Sequence, residues 1–127
     1  ETIRVVSIVD RFLEHARIIH FRHGGDSELF ISSADWMPRN LDRRVEIMVP
    51  VDDLACREKV MNSLLTYFED NCNSWEMQAD GSYIRSQPEK HPIRAQERLY
   101  AHACQATEQM RQKLRTTFET HEPPEHR

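Results

Sequence analysis

The sequence predicts a mixed α/β domain, and three patterns carry that expectation. A dense β-branched run opens the chain, a Gly-Gly turn joins two alternating runs, and two long segments of the second half repeat apolar residues at helical spacing. A mixed sheet is expected from segments near 2–9, 15–22, 28–33 and 44–50, flanked by helices near 53–72 and 93–119. The length of 127 residues suits one domain with a modest core.

Residues 2–9, Thr-Ile-Arg-Val-Val-Ser-Ile-Val, are β-branched densely enough for a strand buried on both faces, with neighbours on either side. Asp10, Arg11 and Glu14 then bring charge to the approach to His15. From there His15, Arg17, Ile19 and Phe21 alternate with Ala16, Ile18 and His20, a period of two that puts His15 and Arg17 on one strand face. The turn His23-Gly24-Gly25-Asp26 leads to a second alternating run through Leu29, Ile31, Ser33 and Asp35. A polar loop carrying Arg39, Asn40, Asp42, Arg43 and Arg44 is expected before a third strand, Val45 to Val49.

After Pro50, Asp52 and Asp53 suit the start of a helix whose stripe of Leu54, Met61, Leu64, Leu65, Phe68 and Cys72 reads as core packing. Asp80-Gly81 favours a two-residue turn between residues 75–78 and 82–85, a hairpin appended to the domain. That register sets Met77 against Ile84 and pairs Glu76 with Arg85 across the strands. Trp75 and Tyr83 suit either a cover for the sheet or a stacking surface for a base. Pro92 fits the first turn of a long last helix, which docks by a narrow stripe from Ala95 through Leu99, Ala103, Ala106, Met110 and Leu114 to Phe118. The tail 121–127 has nothing to bury and is expected to be disordered, leaving a domain over 1–120.

His15 beside Arg17, a small hydroxyl strand at Ser33 and an Arg-rich loop suit phosphoryl transfer. Imidazole, with an ordinary pKa of about 6.5, serves as nucleophile, acid or base near neutrality. A guanidinium fork matches phosphate oxygens. The bland alternative, an ordinary hydrogen-bonded strand histidine among solvated charges, stays open from these residue types alone.

The runs SIVDRFLEHARI and ISSADWMPRNLDRRVE resemble the C-terminal catalytic domain of bacterial polyphosphate kinase. The likeness is dense over residues 1 to about 50 and looser around Trp75 and Asp80 to Tyr83. It implies a phospholipase D-like half-domain in which two similar domains each give a histidine to one shared site, with His15 as the histidine of the second. The phospholipase D pattern is only partly kept: Arg17 stands in its Lys slot, Ser33 and Asp35 in its Ser and Asn slots, and Arg22 where its aspartate belongs. That departure favours the kinase branch over a phosphodiesterase. Glu46 fits the late acidic position of the superfamily.

The resemblance implies transfer of the terminal phosphate of ATP to inorganic polyphosphate through a phosphohistidine in an upstream domain. His15 would contact the ATP phosphates and assist the transfer, with Arg17, Ser33 and Asp35 completing the nucleotide site and Mg2+ accompanying ATP. ATP, ADP and polyphosphate are the implied ligands, the upstream domains and further copies in a homo-oligomer the implied partners. Starting at Glu1 within an apolar run, the chain is expected to be an excised piece of such an enzyme, inactive alone. A phospholipase-like phosphodiesterase and a non-catalytic scaffold remain the rival classes.

The totals narrow the field. Net charge is −4, and residues 11–46 hold six Arg against six Asp and Glu, which argues against a broad nucleic-acid surface. Cys56, Cys72 and Cys104 are odd in number and lack CxxC spacing, so reduced thiols are expected, with no disulfide and no metal ligands. His20, His23, His121 and His126 lack the companions of a zinc site. There is no secretory leader and no apolar run of membrane-spanning length, so the expected location is the cytoplasm, with membrane association of the whole enzyme left open.

Overall fold

The computed structural model describes residues 3–88 and 91–115, with side chains through residue 113. The expected disorder of the 121–127 tail falls outside these residues, as does the stretch of the last helix beyond 115.

The mixed α/β class holds, but the single sheet resolves into two antiparallel sheets of three strands each among the described residues. The first has the order β1-β5-β6, from β1 (Val6–Ile8), β5 (Ser74–Met77) and β6 (Tyr83–Arg85). The second has the order β2-β3-β4, from β2 (Ile18–His23), β3 (Asp26–Ser32) and β4 (Met48–Pro50). The 74–86 hairpin is therefore no appendage, because β5 is the central strand against which β1 pairs, Val6 facing Glu76 and Ile8 facing Ser74. β1 in turn is an edge strand of intermediate burial and not the doubly buried strand expected.

Local chemistry explains the second sheet. Gly24 and Gly25 take φ of +55° and +100°, the pair of left-handed residues that a two-residue type I′ turn demands. The turn sets His23 opposite Asp26 and carries the register to Ile18 opposite Ile31. In the first sheet the loop is longer than expected. The Gln78 amide donates to the Ser82 carbonyl at 2.8 Å, Gly81 takes φ +84°, and Asp80 Oδ1 accepts the Ser82 amide at 2.9 Å. Five residues thus separate the strands, so Glu76 faces Ile84 and Met77 faces Tyr83, a shift from the expected register. Glu76 then pairs with Arg4 at 2.8 Å, and Arg85 turns to the Cys72 carbonyl and the Asn73 side chain.

A short helix, α1 (Pro38–Arg43), replaces the expected polar loop, with Pro38 in its first turn where no backbone donor is required. The following strand starts only at Met48. α2 (Leu54–Glu69) is capped by Asp53, which accepts the Cys56 amide at 2.9 Å and is held below the usual carboxylate range by that bond. α3 spans Ala95–Arg115 and packs on α2. Asp70, 5% exposed, joins the two helices: Oδ1 accepts the amides of Cys72 and Asn73 at the end of α2, and Oδ2 accepts Ala95 N at 2.8 Å at the start of α3.

Among the described residues the buried apolar side chains are Leu29, Val51 and Ala95. The α2 stripe does not form the core expected of it. Leu54 is 82%, Leu65 50% and Phe68 46% exposed, and Met61 and Leu64 are only half-buried, although α2 packs against α3. Among the described residues the α3 stripe is fully buried only at Ala95, with Met110 at 65% exposure.

Candidate functional site

β2 pairs with β3 only as far back as Ile18, and the last link is the Ser32 amide donating to the Arg17 carbonyl at 2.9 Å. Beyond it β3 keeps bonding on its other side, Ser33 N donating to Ile47 O at 2.9 Å next to the Ser32–Met48 pair, while its ladder to β2 ends. His15 and Arg17 are thus not on a strand. They lie on the segment that enters β2, where the ladder to β3 has ended.

The four residues singled out from the sequence nevertheless converge. Arg17 Nε donates to Asp35 Oδ1 at 2.6 Å, from side chains 25% and 33% exposed. The Arg17 guanidinium holds the Asp35 carboxyl below its ordinary range, and the charges of His15 and Arg39 act in the same direction. Arg17 is raised in return, by the Asp35 bond first, with Glu46 adding to it. Ser33 Oγ donates to Glu46 Oε2 and accepts the Ile47 amide at 3.0 Å. His15 is exposed, and its ring has no hydrogen-bond partner among the described residues.

Glu46 and Asn40 are the members that residue patterns alone left undervalued. Asn40, placed by α1 and 3% exposed, donates Nδ2 to Glu46 Oε1 at 3.1 Å, while its Oδ1 has no partner. The signal was the Asn of the PRNLDRR run, which reads as a loop residue until Pro38 starts a helix there. The arrangement is a half-exposed patch in which a free imidazole stands beside a tethered guanidinium and two carboxylates already in use. Among the described residues, no group of three or more His, Cys, Asp or Glu is placed to hold a metal ion. None of their helices is long and apolar enough to cross a membrane.

A family model described as polyphosphate kinase C-terminal domain 2 matches residues 1–96. The chain belongs to the polyphosphate kinase family. A polyphosphate kinase of Rhodopirellula baltica is 59% identical over 125 residues, which is 97% of this chain and 15% of that protein. One of Pseudomonas aeruginosa is 54% identical over 86 residues, 68% of this chain and 12% of that protein. The crystal structure of polyphosphate kinase from Porphyromonas gingivalis superposes with a TM-score of 0.75 at 37% identity, covering 84% of this chain and 16% of that one. The chain thus spans only 12–16% of the polyphosphate kinases it matches.

Proposed function

We propose that this chain is the part of a polyphosphate kinase that presents His15 to ATP during transfer of the terminal phosphate to polyphosphate. The observation that carries the reading is the gathering of His15, Arg17, Ser33, Asp35 and Glu46 into one patch by three separate segments of a chain of this family.

In the proposed reaction a histidine outside this chain attacks the terminal phosphorus of ATP, a nitrogen–phosphorus bond forming as the bond to the ADP oxygen breaks. A terminal oxygen of polyphosphate then takes the phosphoryl group and frees the histidine. Arg17 has its Nε committed to Asp35, and among the described residues its Nη1 and Nη2 have no hydrogen-bond partner. That geometry suits a fork for two phosphate oxygens. His15, exposed and without a partner in the described residues, contacts the phosphates and gives or takes a proton beside the reacting histidine. Ser33 and Glu46 act together, the serine hydroxyl fixing the carboxylate under the patch.

Magnesium belongs to the proposal as the ion that travels with ATP. Asp35 is bound to Arg17, and Glu46 to Ser33 and Asn40, so these carboxylates do not compose a cage for it.

The test is the full-length enzyme carrying His15→Gln. It should melt near the parent temperature and lose about 10²- to 10⁴-fold in polyphosphate synthesis, the usual worth of acid–base help. A folded variant within a few-fold of the parent overturns the reading, and so does phosphodiester hydrolysis in place of labelled polymer.

A further inference from the structure

Nothing in the described residues holds the His15 side chain, so its place depends on the backbone that leads to it. The segment is anchored at every second residue, through the side chains of Asp10 and Glu14 and through the backbone of Phe12. Asp10, its side chain 2% exposed, takes a two-pronged bond from Arg94, Nε to Oδ2 at 2.8 Å and Nη2 to Oδ1 at 2.6 Å. Phe12 gives its amide to Gln96 Oε1 at 3.0 Å and takes Gln96 Nε2 on its carbonyl at 2.7 Å. Glu14 accepts from the Tyr67 hydroxyl on α2. The intervening Leu13 is 89% exposed.

The Gln96 carboxamide is the unusual anchor. One primary amide satisfies both the donor and the acceptor of a single residue, as a neighbouring strand would, at a place where no strand is present. Three residues later comes His15, and two after that Arg17 is fixed to β3 through its carbonyl and to Asp35 through its side chain. The segment is thus pinned on both sides of a histidine that is not itself pinned.

We infer that Gln96 is a positioning residue for His15: it holds the Phe12 peptide so that the imidazole stands at a fixed place over the patch. This rests on the reading of His15 given above. Gln96 lies in the first turn of α3, outside the patch itself, so it acts through the chain path and touches no substrate. Misplacement of a reacting group by about 1 Å costs on the order of 10²-fold, so a lost tether should register in turnover.

The experiment is a double-mutant cycle in the full-length enzyme with Gln96→Met and His15→Gln, followed by labelled ATP. With His15 present, Gln96→Met should lower kcat roughly 10- to 100-fold, change KM for ATP by less than about threefold, and leave the melting temperature nearly unmoved. In the His15→Gln background it should lower the residual rate by less than about twofold, because the group it positions is gone. Should Gln96→Met fail to fold, Gln96→Asn, one methylene shorter and unable to span both bonds, takes its place with the same expectation. Unchanged turnover in an enzyme that needs His15 overturns the tether alone, as does an equal loss in both backgrounds. An enzyme indifferent to His15→Gln overturns the site reading and the tether with it.

Discussion

Arg17 and Asp35 form the shortest link between the segment entering β2 and the loop leaving β3, Nε to Oδ1 at 2.6 Å. One side of the guanidinium is thereby occupied before any phosphate arrives. A lysine has a single nitrogen for both tasks and no fixed fork. Arg17→Lys in the full-length enzyme should therefore keep its fold and lose about tenfold or more in kcat/KM for ATP, the worth of one charged hydrogen bond. Unchanged affinity and turnover would make Arg17 a surface charge tied to Asp35 and nothing more.

Asn40 supplies a second prediction. It is 3% exposed and 3.1 Å from Glu46 Oε1, so Asn40→Asp sets one carboxylate against another where solvent screens little. The change should cost about 2 kcal/mol at pH 8, with the cost shrinking as pH falls and the raised carboxyl takes up a proton. Denaturant midpoints measured across that range decide it. A pH-independent loss would mean that the pair separates on substitution.

Asp10 predicts the opposite pH trend. The Arg94 guanidinium bonded to it holds its carboxyl far below the usual range, against the opposing effect of its burial. A carboxyl depressed in the folded state contributes stability that is fully present above its unfolded value of about 3.9 and is lost as pH falls toward the folded one. Asp10→Asn should therefore be less stable than the parent at pH 7, and the gap should close progressively below about pH 4. Parallel stability curves for the two proteins across acid pH would rule the linkage out.

The β2–β3 turn discriminates between its two glycines. Gly24, at φ +55°, sits where asparagine is readily accommodated, whereas Gly25, at φ +100°, lies beyond it. A Cβ at either position meets nothing within 4 Å, so any penalty comes from the backbone alone. Gly24→Asn should be close to neutral in thermal unfolding, and Gly25→Ala should cost about 1 kcal/mol.

What could be read from the sequence follows from how local each cause is. The β2–β3 hairpin was legible because two glycines mark its turn, and the α2 start because Asp53 reaches an amide three residues on. The nearness of His15, Arg17, Ser33 and Asp35 agrees with what the family resemblance implied, their roles being the proposal made above, yet the strand assigned to His15 and Arg17 was not correct. Alternation continues back to His15 in sequence, but pairing with β3 stops at the bond from Ser32 N to Arg17 O. The division into two sheets was hidden for a related reason, since no feature of residues 2–9 announces a partner at Ser74 to Met77. The apolar stripe of α2 has the right spacing for burial, but periodicity marks a face without supplying the layer to cover it.

The pairing of β1 with β5 also sets an order of events. Arg4 and Glu76, which meet across that pair, are 72 residues apart in the chain. At synthesis rates of about 5–20 residues per second, the edge of β1 waits roughly 4–14 s for its partner to be made. A hairpin such as β2–β3 closes in about 1–10 μs once its turn is available. The segment bearing His15 and Arg17 therefore acquires its downstream anchor on β3 long before α3 exists to offer Arg94 and Gln96. In a growing chain the site is assembled from its far side, and β1 spends those seconds without a strand partner.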